Sequence, residues 1–180
     1  MEKAEFEQLF DARVAAPLAA LGFRPVGRSL HARIGDAEIA LIRLGGRRSR
    51  AGEIVHVLCV RKTWMRTRER VVPDGFVREP FDYPYKLLPS RLDRGTIFRS
   101  PFRYTPQNLN YDYDQQEFAN AAPAEVCEEL DELRSVIAER VVPWATELSA
   151  RSLLRALRWR GQNAWIERLW IEDCVARTRA

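Results

Sequence analysis

The chain is poor in the residues from which active sites and metal sites are assembled. Among 180 residues there are two histidines, His31 and His56, and three cysteines, Cys59, Cys127 and Cys174. The cysteines are odd in number, far apart and without a C-x-x-C spacing, which argues against a disulfide scaffold or a thiolate metal site. They read as free thiols of a reducing compartment, and a cytoplasmic location is expected. No H-x-x-x-H or E-x-x-H pair falls on a helix, so no metal or other cofactor is expected. The G-x-S-x-G elbow and the G-x-G-x-x-G turn are both missing, and Gly45-Gly46-Arg47-Arg48 is not followed by Lys-Ser/Thr. Long apolar runs are missing too. The longest uncharged stretch, Val14 to Phe23, has ten residues, about half of the roughly 20 that a bilayer crossing needs. The opening Met1-Glu2-Lys3-Ala4-Glu5 has no apolar h-region, so neither a membrane span nor a secretory signal is expected.

What the chain has in quantity is surface to bury. Hydrophobic residues make up 46% and charged residues 30%, with five Trp, eight Phe and five Tyr, enough to close a core. The length predicts one soluble domain over 1–180. A helix, a sheet and an irregular segment fill 1–122, and a helical part fills 123–180. The net charge of +4 is unevenly spread. Residues 43–70 hold nine Arg/Lys against two acids, residues 111–149 hold ten acids against two Arg, and residues 150–180 hold seven Arg against three acids.

Hydrophobic spacing predicts the elements. Phe6, Leu9, Phe10, Val14, Leu18 and Leu21 form one stripe of an N-terminal helix, which Pro17 should kink or split and Gly22 should end. Gly35-Asp36 suits a two-residue type II′ turn. Pairing Ile34 with Ala37 sets Ala32 opposite Ile39 and Leu30 opposite Leu41 on one face, with Arg33 opposite Glu38 on the other. Gly45 to Gly52 reads as a mobile basic connection. Ile54 to Lys62 is a strand apolar on both faces, hence central and covered twice. Six prolines forbid long elements in 71–115, although Thr96 to Tyr104 could form an edge strand. Pro123 opens a helix carrying Val126, Leu130, Leu133, Ile137, Val141, Trp144 and Leu148, which Pro143 should break or bend. A short helix from about Arg151 to Trp159 follows, then one carrying Trp165, Ile166, Leu169, Trp170 and Cys174. The fold class is therefore α+β: an antiparallel sheet of three to five strands, an N-terminal helix and a C-terminal helical segment.

Chemistry is harder to place. His56 and Cys59 are three apart on one strand and point to opposite faces, so they form no dyad. His31, beside Ala40 on the outer face of the hairpin, is expected to be solvated or hydrogen-bonded. Asp112 and Asp114 alternate as in part of a calcium loop, but the glycine and distal Glu are missing, and an Asx turn fits better. Arg61, Lys62, Arg66, Arg68 and Arg70 surround Trp64, and Arg47, Arg48 and Arg50 precede them, the pairing of guanidinium and ring that a nucleic acid or polyanion would use. A second stripe, Arg151, Arg155 and Arg158, has the same spacing as Glu125, Glu129 and Glu132 and is expected to pair with them or to be solvated. With 26 Arg and three Lys in the chain, Arg clusters also arise from composition alone.

The order of features, with Leu21-Gly22-Phe23 closing the first helix, the hairpin, the two-faced strand, and Val141-Val142-Pro143-Trp144 closing the acidic helix, resembles a group of short bacterial α+β proteins known only as a domain of unknown function. The likeness covers residues 6–62 and 125–157 and implies a fold without an activity. The primary expectation is a non-enzymatic protein that binds an unknown protein or ligand through the aromatic, proline-rich 63–115 segment. The alternative is nucleic-acid or polyanion binding by the Arg-rich 47–70 region, and a third reading is a small hydrolase using His56.

Overall fold

A computed structural model describes residues 3–44, 53–68, 75–87, 115–117, 122–159 and 165–179. The N-terminal stripe forms a helix: α1 (Lys3–Phe10) passes through a wider π-helical turn (Asp11–Ala15) into α2 (Ala16–Ala19). Pro17 does not split it. A proline lacks the N–H and crowds the carbonyl four residues back. Opening the preceding turn relieves that crowding, and the Ala16 N–H reaches back five residues to the Asp11 carbonyl. The C-terminal half repeats the device. Helix α3 (Pro123–Val136) runs through a π-helical turn (Ile137–Val141) into α4 (Val142–Glu147), with the Val142 N–H on the Ile137 carbonyl just ahead of Pro143. Of the outcomes expected for the two prolines, the split at Pro17 and the break at Pro143 do not occur, and a π-helical turn stands before each. Gly22, at φ +87°, ends the first helix, and the Phe23 N–H closes on the Leu18 carbonyl at 3.2 Å.

The sheet is antiparallel throughout. Strands β1 (Arg24–Val26), β2 (Ser29–Ile34), β3 (Ala37–Leu44), β4 (Glu53–Lys62) and β5 (Tyr85–Leu87) lie in chain order, and the short β6 (Gln115–Glu117) also pairs with β4. The hairpin has the register its pattern requires, Ile34 with Ala37 through Leu30 with Leu41. Gly35 takes φ +58° while Asp36 does not have positive φ, the signature of a type II′ turn.

Both faces of β4 are covered. On one face Leu30, Ala32, Ile39, Leu41, Leu58, Val60 and Tyr85 pack against α1 and α2, α3 and α4, α5 (Ala150–Trp159) and α6 (Trp165–Arg179). On the other, Ala40, Ile42, Val57 and Cys59 pack beneath Val77 and Tyr83, which belong to the 75–84 strap crossing that face. The α+β architecture is the one expected. The 45–52 connection, the Thr96–Tyr104 strand and the Asp112–Asp114 turn lie outside the described residues.

Candidate functional site

The histidines and Cys59 come first, because any nucleophilic scheme must use them. His56 lies on the helical face of β4, 2% exposed, its ring stacked on Phe10 with centroids 5.0 Å apart and planes 2° apart. Cys59 points to the opposite face and is buried, which pushes its thiol well up. His31 is buried as well, its ring 5.3 Å from that of Phe76. Of the two expectations for His31, solvated or hydrogen-bonded, the solvated one fails because the strap covers the outer face of the hairpin. These residues thus supply no exposed nucleophile with a base in reach.

The strap is pinned by one carboxylate. Glu38 is fully buried. Its Oε1 accepts from the Val77 N–H at 3.0 Å and lies 3.0 Å from the Tyr83 hydroxyl, whose single proton is shared with the Val77 carbonyl at 2.7 Å. Its Oε2 accepts from Arg33 at 3.2 Å and from Arg61 at 3.4 Å. The strand register makes this possible, since Arg33, Glu38 and Arg61 form one row across β2, β3 and β4. Burial lowers the Arg61 pKa, opposed by the Glu38 charge, and burial followed by the same charge raises that of Tyr83. Arg61 also donates to the Met65 carbonyl, and Arg33 to the Gly75 carbonyl.

The neighbouring row, His31, Ala40, Cys59 and Lys86, ends in a second buried charge. Lys86 is 1% exposed, and burial brings its ammonium down to about 7, opposed first by Cys59 and then by Glu167. Its Nζ lies 5.7 Å from the centre of the Phe81 ring, which also carries Arg68 at 5.1 Å. Asp82 is buried nearby and accepts from the Arg68 N–H at 2.7 Å and Nε at 3.1 Å. Lys86, Asp82 and Tyr83 escape a reading by motif. They sit in a proline-rich stretch without periodicity, and only the pairing of β5 with β4 turns Lys86 inward.

The Arg-rich set is committed to carboxylates of its own chain wherever it is described. Arg61 answers Glu38. Lys62 is buried, with Nζ 2.7 Å from Asp36 Oδ1 and 3.3 Å from the Thr146 carbonyl. Trp64 donates to Asp36 at 3.1 Å. Arg66 reaches Asp173 and Glu172, both at 2.7 Å, and the Leu169 carbonyl at 2.9 Å. Arg68 takes Asp82. Arg47, Arg48, Arg50 and Arg70 lie outside the described residues. The aromatics of 63–115 are equally committed where described: Phe76, Tyr83 and Tyr85 are buried and Phe81 is half-buried. A buried Arg61 or Lys62 offers no contact to a ligand at the surface, and inward-facing rings brace the strap instead of displaying it.

Two surface features stand out among the described residues. A cleft of about 220 Å³ opens between α1 and the β1–β2 turn, lined by Lys3, Glu7, Arg28, Ser29 and Arg43 among others, with Arg43 and Glu7 paired at 2.7 Å. The other is the outer side of α5 and α6. There Arg151, Arg155 and Arg158 are exposed and make no ion pair among the described residues; of the two expectations for this stripe, pairing with Glu125, Glu129 and Glu132 or solvation, the solvated one holds. Trp159 is 83% exposed and Trp165 54%. Among the described residues no three His, Cys, Asp or Glu side chains form a metal-binding group, and no helix is long and apolar enough to cross a membrane. No protein-family description, curated protein or solved structure matches the chain.

Proposed function

We propose that the chain is a non-enzymatic binding protein. The reading is carried by the burial of the groups that could do chemistry: His31, His56, Cys59, Glu38, Asp82 and Lys86 are all enclosed among the described residues, and Glu38 and Asp82 spend their carboxylates on holding the strap and its neighbours. A catalytic carboxylate or lysine with a shifted pKa belongs in a cleft that a substrate can enter. The cleft by α1 holds none of these six groups. The inward-facing rings of the strap favour engagement through another surface than 63–115. The pairing of Arg61, Lys62, Arg66 and Arg68 within the chain likewise argues against 47–70 as a polyanion site.

The test has two arms. The tagged full chain is isolated from cells at physiological salt, the co-isolated molecule is identified, and the complex is rebuilt from purified components; a defined stoichiometric complex is expected. In parallel the protein is assayed against ester, amide, phosphate and glycoside substrates. Reproducible turnover that is lost in His56→Ala or Lys86→Met overturns the reading.

A further inference from the structure

We propose that the α5–α6 surface binds single-stranded nucleic acid, with bases stacking on Trp159 and Trp165 and phosphates held by Arg151, Arg155 and Arg158. The inference rests on the binding reading above and names its partner. The placement follows from helix geometry. Arg151, Arg155 and Trp159 stand at i, i+4 and i+8, and Arg158 lies beside them, so the four share an arc of about 100° along about 12 Å of α5. Opposite them Leu153 and Leu157 are buried in the core, which turns the arc outward. Helix α5 carries no acid. The acids of α6 are occupied: Glu172 and Asp173 hold Arg66 and Glu167 is buried. Arg168, Arg177 and Arg179 on α6 are exposed. Arg151, Arg155 and Arg158 therefore meet no acid on their own helix, and the exposed Glu172 of α6 is paired with Arg66.

The exposed apolar area decides what kind of anion fits. On these two helices the large apolar side chains that stand exposed are two indole rings, since Leu153, Leu157 and Ile166 are buried and Leu154, Leu169 and Ile171 are half-buried against the core. Flat π-faces flanked by guanidiniums suit unpaired bases, which stack on aromatic rings without regard to sequence while arginine forks take the phosphates. A protein partner would be anchored by pockets and branched apolar side chains. A membrane surface would need the leucine face of α5, which the core already occupies.

The test uses the full chain and a labelled oligothymidylate or oligouridylate of about a dozen nucleotides, followed by fluorescence anisotropy and by quenching of tryptophan emission. Saturable binding is expected. Three phosphate contacts at a logarithmic slope of about −0.7 each give a loss of roughly 20-fold between about 50 and 200 mM salt. Trp159→Ala is expected to weaken binding roughly tenfold. The Arg155→Glu/Arg158→Glu pair should weaken it further, while Arg28→Glu, on the far cleft, should leave it within about twofold. Because these side chains are exposed, circular dichroism should show each variant folded. Absence of binding at low salt, an affinity unchanged by Trp159→Ala, or tighter binding to a duplex or to phosphatidylserine vesicles overturns the proposal. A rebuilt protein complex with no oligonucleotide affinity would overturn this inference and leave the binding reading standing, whereas substrate turnover would overturn the latter.

Discussion

Glu38 shows how one side chain holds two layers together. Its carboxylate has four donors and no exposure, so the charge is balanced by Arg33 and Arg61 and the strap is tied by Val77 and Tyr83. Removing one member of a buried ion pair leaves the other uncompensated, at a cost of about 3–5 kcal/mol. Glu38→Ala is expected to lose that much stability, and Glu38→Gln less, because the amide oxygen still accepts. Urea unfolding checks this: the midpoint should fall with the slope unchanged. A loss under about 1 kcal/mol would mean that Arg61 finds another counter-charge.

Lys86 makes stability depend on pH with a definite sign. Its folded value near 7 lies below the ordinary 10.5. Between about pH 7 and 8.5 the unfolded chain therefore holds a proton that the folded chain has released, and stability rises with pH at up to about 1.4 kcal/mol per unit. Cys59 and Cys174 act the other way. Burial raises both thiols from an ordinary 9.0, Cys174 to about 12, so above about pH 9 the unfolded chain loses two protons that the folded chain keeps. Stability is expected to peak near pH 8.5–9 and then fall. Urea titrations across pH 7–10 check the curve, and Lys86→Met should remove its rising limb. A steady decline from pH 7 in the parent protein would contradict this account.

Helix α6 packs Ile166, Trp170 and Cys174 into the core and is also tied to the turn after β4. Arg66, 46% exposed, puts its guanidinium on Asp173, Glu172 and the Leu169 carbonyl, its backbone N–H donates to Asp173 at 2.8 Å, and its carbonyl accepts from Trp170 Nε1 at 2.9 Å. Arg66→Ala keeps the backbone bonds and removes the side-chain set. A loss of about 1 kcal/mol is expected, as for an exposed ion-pair network. Hydrogen exchange should quicken in 165–179 while β2–β4 stay protected, and equal loosening of the sheet would count against the assignment. At this scale the sequence was most readable. The type II′ turn, the register of β2 on β3, the two-faced β4 and the helix opened by Pro123 all follow from local spacing and turn chemistry. The continuation of both helices past Pro17 and Pro143 through a widened turn did not, because those turns place Val14, Ile137 and Val141 in the core, contacts that no local pattern encodes.

For the molecule as a whole, the second covering of the sheet was legible in β4 alone, while its agent was not. The 75–84 strap has neither helical nor strand periodicity, and its hold depends on Glu38 meeting Arg61, 23 residues further on. The Arg-rich stretch around Trp64 looked like a binding surface because its carboxylate partners lie far along the chain, Asp173 being 107 residues from Arg66. The stripe on α5 was readable as a stripe, but its freedom from the acidic row is a matter of tertiary placement.

The three thiols occupy three places in this arrangement, with Cys127 half-buried on α3 and two fully buried, Cys59 under the strap and Cys174 between α6 and the core. The chain thus carries its own set of timers. In native buffer an alkylating reagent should mark Cys127 quickly, Cys59 only as often as the strap lifts, and Cys174 only as often as α6 peels away. Peptide mass spectrometry over a time course separates the three. Glu38→Ala should hasten the Cys59 signal and Arg66→Ala the Cys174 signal, each leaving the other nearly unmoved; one common rate would mean that strap and helix open in a single event.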